Sequence, residues 1–451
     1  GQDPTEQYRR AIEEDYARAI ELNPQSADLL FERAQTRREK GDSVGAIADF
    51  TRVVELQPDR GVAWNNRGVE RERGGDLAGA AADYDRAVGL ITNSPVLYTN
   101  RARVRRARKD LKGALEDYDR AIELKKDDPA GYLYRAAVKA EAGDLPGAIA
   151  DCTEAIALQK DAPAYYQARA KLRGRNRDPE GALEDFTRAI DLAPKEEILY
   201  YQRAEVKRGK NDLEGAIEDY SKALELKPDD PWTWNARAIA RQWKDDYPGA
   251  IADYDRAIAL GKDTPLYYSN RADAKHSSRD LAGAIADYSA AIELKPDDGP
   301  AHYQRGLAKR QSGDLKGALE DFDRTVALEK DSRTGLLARA IGRRERGERA
   351  EAMADLNRVL ELSKDHARAL NERGLIKVDL KDLPGALDDF ERILKIAPRF
   401  AEAYMNRGIV RELSGDADGA VKDFEKVLEL LPEGWECRKR AQDRLKSRRN
   451  P

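Results

Sequence analysis

The sequence predicts an all-α fold, an alpha-alpha superhelix of helix-turn-helix units, and three observations predict it. First, Ala46, Ala80, Ala114, Ala148, Ala182, Ala216, Ala250, Ala284, Ala318, Ala352, Ala386 and Ala420 follow one another at a fixed interval of 34 residues, without insertion. Such a period marks a solenoid, whose units each bury an apolar face against the next. Second, within residues 211–230, NDLEGAIEDYSKALELKPDD, the spacing of Ala216, Tyr220, Ala223 and Leu226 assigns them to one helical face, opposite a charged one. Trp234, Ala238 and Arg241 repeat the helical spacing in the other half-unit, so each unit is a helical hairpin. Third, the punctuation is local: Asp212 can cap the start of its helix and Pro228 follows its end.

On these residues the chain resembles the tetratricopeptide repeat (TPR) family. That family's unit has a large residue at position four, a small one at eight, Ala at twenty, an aromatic at twenty-four, Ala at twenty-seven and Pro at thirty-two. Counted from Pro231, this chain has Trp234, Ala238, Ala250, Tyr254 and Ala257; counted from Gly61 it has Trp64, Gly68, Ala80, Tyr84 and Ala87. The resemblance implies a right-handed superhelix of twelve repeats starting at residues 27, 61, 95, 129, 163, 197, 231, 265, 299, 333, 367 and 401. These fill residues 27–434. A lead and a single N-terminal helix, a half repeat, occupy residues 1–26, and a basic C-terminal capping helix occupies residues 435–451.

In chain order, residues 1–7 read as a frayed lead and residues 8–22 as the solitary helix, with Ile12, Tyr16, Ala19 and Ile20 facing the first full repeat. Pro95, Pro129, Pro163, Pro231 and Pro265 open repeats at a helical position that loses no hydrogen bond, four of them after a capping Ser94, Asp128, Asp230 or Thr264. Between the helices of a hairpin, Gly41, Gly75, Gly143, Gly313, Gly347 and Gly415 suit a left-handed helix ending, and Asp or Glu comes next in all twelve repeats. Eleven repeats also carry Gly at position nineteen, at a propensity cost of about 1 kcal/mol each. Close approach of the helices is the expected reason. The last helix places Cys437, Ala441 and Leu445 at four-residue steps over the exposed face of the final hairpin, and its basic run suits a helix C-terminus.

One set of charges repeats as faithfully as the core. Position seven, usually large and apolar in the family, is Arg throughout: Arg33, Arg67, Arg101, Arg135, Arg169, Arg203, Arg237, Arg271, Arg305, Arg339, Arg373 and Arg407. Position twenty-three is always Asp: Asp49, Asp83, Asp117, Asp151, Asp185, Asp219, Asp253, Asp287, Asp321, Asp355, Asp389 and Asp423. Lys or Arg also stands four residues after each Arg. The matched charges predict a structural ion-pair ladder, each guanidinium forking onto a carboxylate of its own or the adjoining repeat. A row of anion sites is the rival reading, but the accompanying Asp would repel phosphate.

Composition and motifs exclude much chemistry. A formal net charge of −4 with 36% charged residues of mixed sign describes a solvated helical surface, not a basic nucleic-acid binder. No stretch approaches the roughly 18 apolar residues of a membrane span. Cys152 and Cys437 cannot form a disulfide framework, and Cys152 takes the aromatic's place at position twenty-four as a small buried hydrophobe. His276, His302 and His366 fall at three different repeat positions, without metal-ligand spacing; His302 reads as core and the other two as surface. No phosphate loop, GxSxG or HExxH occurs. No catalytic residue, metal or cofactor is expected, and a small-molecule substrate neither. The start at Gly-Gln-Asp-Pro, entering at a second helix, reads as loss of an upstream segment, which leaves a cytoplasmic or exported location open.

The expected function is a protein-protein interaction scaffold holding an extended peptide or protein segment. The alternatives are a self-associating structural module whose groove takes the terminal segment of another copy, and a helical-repeat nucleic-acid binder, which the acidic balance disfavours. By resemblance, positions two, five, six, nine, twelve and thirteen of the first helices line the concave wall. The family's clamp for C-terminal carboxylates is missing, since no repeat has Asn at nine, Lys at two or Arg at six. A better match is to members that hold a peptide backbone with position-six asparagines: here Asn66, Asn100, Asn270 and Asn406, with Gln202 and Gln304 as longer amides. The other reading is that these amides are ordinary solvated residues. A mid-chain hot spot is expected from Trp232 and Trp243, with Tyr201, Asn235 and Tyr303 at position five and Arg208 and Arg310 at twelve. Packing between repeats is the rival explanation of those aromatics.

Overall fold

The computed structural model describes residues 14–449, and every regular element among them is helical. The chain divides into two compact units, one ending at Pro228 and one beginning at Asp229. In the first, residues 14–22 are helical and six hairpins follow: Ala27–Glu39 with Ser43–Leu56, Gly61–Arg73 with Leu77–Leu90, Pro95–Ala107 with Leu111–Leu124, Pro129–Glu141 with Leu145–Leu158, Pro163–Arg175 with Pro179–Leu192, and Glu197–Gly209 with Leu213–Leu226. The second pairs Pro231–Trp243 with Tyr247–Leu260, Pro265–Ser277 with Leu281–Leu294, Gly299–Gln311 with Leu315–Leu328, Arg333–Glu345 with Arg349–Leu362, Ala367–Asp379 with Leu383–Ile396, and Ala401–Leu413 with Ala417–Leu430, and ends in Glu436–Arg449. Within each unit every helix packs on its sequence neighbours, which makes each a helix-turn-helix solenoid.

The packing explains the repeated small residues. The alanine that begins the buried stripe of each second helix, Ala46 through Ala420, is wholly inaccessible in all twelve hairpins, so a larger side chain would have to force the hairpin open. Tyr220 and Ala223 share that buried face with Ala216. Leu226 does not: it is 36% exposed, and Leu224 is the buried leucine of that turn. At about 100° per residue, the tenth residue after Ala216 is rotated about 80° off the stripe.

The turns bear out the six left-handed glycines and differ from expectation only in the reason for the position-nineteen glycines. All twelve pass through a left-handed residue, but only six use glycine; Lys109, Arg177, Asn211, Asp245, Arg279 and Lys381 adopt φ between 60° and 69°. The position-nineteen glycines are needed chiefly for a local reason. The N-cap Asp42 accepts from Gly45 N–H at 2.9 Å, and a Cβ on Gly45 would run into that same carboxylate before meeting the stem of Arg37. Helix approach is therefore the secondary cause. The one repeat with Glu351 there has Glu348 as its cap, without a side-chain capping bond, so the glycine is absent where the tight cap is absent.

Asp128 and Asp230 cap as expected, whereas Ser94 and Thr264 make no side-chain capping bond. At the amino end, Ile20 packs on the cluster around Phe31 and Phe50, and Ile12 lies outside the described residues. At the other end Ala441 is fully buried on the last hairpin, with Cys437 and Leu445 beside it. Arg438 there donates to the carbonyl of Leu431 at 2.7 Å, so part of the basic run serves the C-terminus of the preceding helix.

Candidate functional site

In all twelve hairpins the position-seven Arg forks onto the Asp sixteen residues later, in its own hairpin. Arg67 donates through Nε and Nη2 to Asp83 at 3.0 and 2.7 Å, and Arg237 to Asp253 at 2.8 and 2.7 Å. Each carboxylate takes a second cation from position eleven, such as Arg71 on Asp83 at 2.9 Å and Arg241 on Asp253 at 3.0 Å. The remaining Nη1 of many of these arginines reaches back to position twenty-five of the preceding hairpin: Arg67 to Thr51, Arg101 to Asp85, Arg271 to Asp255, Arg305 to Ser289. The guanidinium thus joins two hairpins. A recurring Asp, Asn, Ser or Thr at position twenty-five was the sequence signal for that second contact, and reading only the Arg–Asp pair misses it. Burial works against ionisation of Asp321, but hydrogen bonds from Arg305 and Lys309 outweigh it and hold the carboxyl below its ordinary range.

The first helices carry the predicted wall residues. Their amides bond to one another between neighbouring hairpins: Asn100 Nδ2 donates to Asn65 at 2.9 Å, Asn270 to Asn235 at 2.9 Å, Asn406 to Asn371 at 2.9 Å, and Gln167 to Gln202 at 2.9 Å. Asn66 is buried and accepts from Asn65 at 3.3 Å. Gln304 stays exposed. Each of these bonds uses one N–H of one amide and the carbonyl oxygen of the other, which does not exhaust the hydrogen-bonding capacity of either.

The aromatics divide. Tyr201 lies 5.7 Å from Tyr220 and Tyr303 lies 6.1 Å from Phe322, ring centre to ring centre, so both position-five tyrosines lean on the aromatic core of their own hairpins. Arg208 pairs with Glu205 at 2.7 Å, and Arg310 approaches Glu345 at 4.0 Å. Trp232 and Trp243 are different: they are 55% and 57% exposed. Eleven residues apart on one helix, they point within about 20° of each other and stand ~16 Å apart along the axis. Trp232 rests edge-on against Tyr267 at 5.6 Å.

A groove of about 650 Å³ opens between Pro265–Ser277 and Gly299–Gln311, with Leu266, Asp273 and Gln304 among its lining. The hydroxyl of Tyr288 reaches through the hairpin to donate to Asp273. Burial raises the Asp273 carboxyl above its ordinary range, more than the tyrosine bond and nearby His276 lower it.

Among the described residues no group of three or more His, Cys, Asp or Glu has the arrangement of a metal site, and no helix is long and apolar enough to cross a membrane. His302 is buried, with Nδ1 3.3 Å from Asp321 and Nε2 3.2 Å from the Pro296 carbonyl. His276 is half-buried, not a surface residue, and its Nε2 meets no hydrogen-bond partner. His366 caps a helix, accepting from Ala369 N–H at 3.2 Å. Cys152 is buried, which pushes its thiol up to about 11.

Comparison with known proteins agrees with this architecture. A family model described as tetratricopeptide repeat matches residues 5–61, 34–95, 235–299, 270–333, 337–399 and 377–434, more than half of the chain, and one described as TPR repeat matches residues 207–242. No curated protein matches. Among solved structures, the yeast Tom70 is 18% identical over 86% of this chain and 96% of its own, with a TM-score of 0.42. A repeat protein from Parabacteroides merdae ATCC 43184 is 19% identical over 55% and 97%, with a TM-score of 0.46. YrrB, whose structure is described as that of a TPR protein with an unusual peptide-binding site, is 23% identical over 42% and 97%, with a TM-score of 0.37.

Proposed function

The chain belongs to the tetratricopeptide repeat family, whose solenoids generally act as protein-protein interaction scaffolds, and from that premise we propose that it holds an extended peptide or protein segment along the face made by its first helices. In this reading the chain is a superhelix of twelve 34-residue repeats, performs no reaction, and uses that face as a concave wall. The observation that carries the proposal is the pair Trp232 and Trp243. Two large rings more than half exposed on one helix face leave much apolar surface in water, and a partner that covers them recovers about 25 cal/mol per Å². The amides on the same face add sequence-tolerant hydrogen bonding to a backbone.

The double substitution Trp232→Ala, Trp243→Ala tests it. Affinity capture on the intact chain should retain a partner that the double variant loses by at least about tenfold in Kd, with circular dichroism and melting unchanged. Equal capture by a variant that keeps its helicity refutes the site.

A further inference from the structure

The fold treats its buried aspartates alike: each of the twelve at position twenty-three sits between two cations. Asp273, at position nine of its hairpin, is treated otherwise. Its one hydrogen bond comes from Tyr288, and no Lys or Arg pairs with it among the described residues, although it is half-buried. Withdrawing a carboxylate from water without a counter-ion is costly, and the upward displacement of its ionisation reports that cost.

What lies beside Asp273 is open space. The groove has apolar walls in Leu266, 47% exposed, and in Pro300 and Leu328. Around them stand Asp297, Asp298 and Glu329, against a single ammonium, Lys295, which is 3.4 Å from Asp298. The volume is that of a small-ligand site, and its charge is negative. We propose that this groove receives an arginine side chain of an extended peptide, with Asp273 as the counter-ion of its guanidinium and Leu266, Pro300 and Leu328 holding its methylene stem or an adjacent apolar residue. Arginine fits better than lysine. Its planar fork presents several N–H donors to a lining that holds the Asp273 carboxylate and the Gln304 amide, and a guanidinium loses less hydration than an ammonium on entering a half-buried site. The peptide's neighbouring residues would then run toward Trp232, which rests on Tyr267, the residue after Leu266. This inference rests on the peptide-scaffold reading and adds the chemistry of the ligand to it.

The test uses the full chain and a phage-displayed library of random dodecapeptides. Recovered sequences are synthesised with a fluorophore, with and without replacement of each Arg by citrulline, and titrated by fluorescence polarisation against the wild-type chain, Asp273→Asn and Glu329→Gln. The recovered peptides should contain Arg beside an apolar residue. Citrulline should weaken binding to the wild type about tenfold or more and to Asp273→Asn less than about twofold. Glu329→Gln, on the exposed rim, should weaken every Arg peptide about twofold to threefold and cannot act through the core. Peptides lacking Arg, or an equal citrulline effect on wild type and Asp273→Asn, overturn the inference. If such peptides still lose affinity with the double tryptophan variant, the scaffold reading stands without it. Enrichment no better than on a plate without protein overturns both.

Discussion

The hairpins at residues 61–141 and those at residues 231–311 share one frame and carry opposite surfaces. In the first stretch the charges of the wall answer one another across hairpins: Arg103 meets Glu72 at 2.6 Å, and Arg106 meets Glu141 at 2.5 Å. Tyr84 also donates to Glu72 at 2.9 Å; burial alone would raise that carboxyl, but the bonds from Arg103 and Tyr84 leave it lowered. In the second stretch the same construction, a core tyrosine donating to a wall carboxylate, recurs at Tyr288 and Asp273 with no arginine opposite, and two tryptophans stand exposed. The positions that never change are therefore paired alike in both stretches, and the variable positions of the first helices are what differ between them.

The largest effect checks that the frame is common. Asp117→Ala and Asp253→Ala should each cost about 3–5 kcal/mol by urea unfolding, since each strands two cations against a buried hole. Arg237→Met should cost much less, because the thioether can lie along the interface and Arg241 still neutralises Asp253. Widely unequal losses at the two aspartates would show that the stretches are not built alike.

A smaller pair of changes separates the walls by sign. Glu72→Gln should destabilise by about 1–2 kcal/mol at pH 7, by breaking a charged bond to Arg103. The lowered ionisation of Glu72 makes its contribution present above its unfolded value and lost as pH falls through the folded one. Asp273 runs the other way: its raised ionisation gives stability that is present in the protonated form and lost as pH rises through the folded value. Asp273→Asn should therefore melt higher than the wild type at pH 7, with the gap closing toward pH 3. A variant that melts lower at pH 7 would mean that the folded chain stabilises the ionised Asp273 carboxylate over the protonated one.

The smallest effect sharpens the comparison at the turns. Lys109→Gly and Asp245→Gly, one from each stretch, should each stabilise by about 1 kcal/mol, because both non-glycine residues sit at positive φ, 66° and 62°. Thermal melting of the two single variants measures it.

Much of this was legible in one dimension. The interval, the helical stripe of Ala216, Tyr220 and Ala223, the capping Asp212 and the matched Arg and Asp are all local or periodic features, and a solenoid makes nearly all its contacts within a repeat or with the next one. Leu226 was misplaced because ten residues is not a whole number of helical turns. The glycine at nineteen was misread because the obstacle is a side chain three residues earlier, curled over its own helix.

The sequence by itself determined the all-helical hairpin, its repetition and the charges that accompany the core, because those depend on spacing along the chain. Only the tertiary structure decided which hairpin each guanidinium serves, that amides of adjacent first helices spend bonds on each other, that Tyr201 and Tyr303 lean on the core while Trp232 and Trp243 stay more than half exposed, and that Asp273 faces a groove whose one ammonium, Lys295, lies by Asp298. Those outcomes depend on the distances and angles between helices, and the identity of a side chain does not reveal whether a neighbour has already satisfied it.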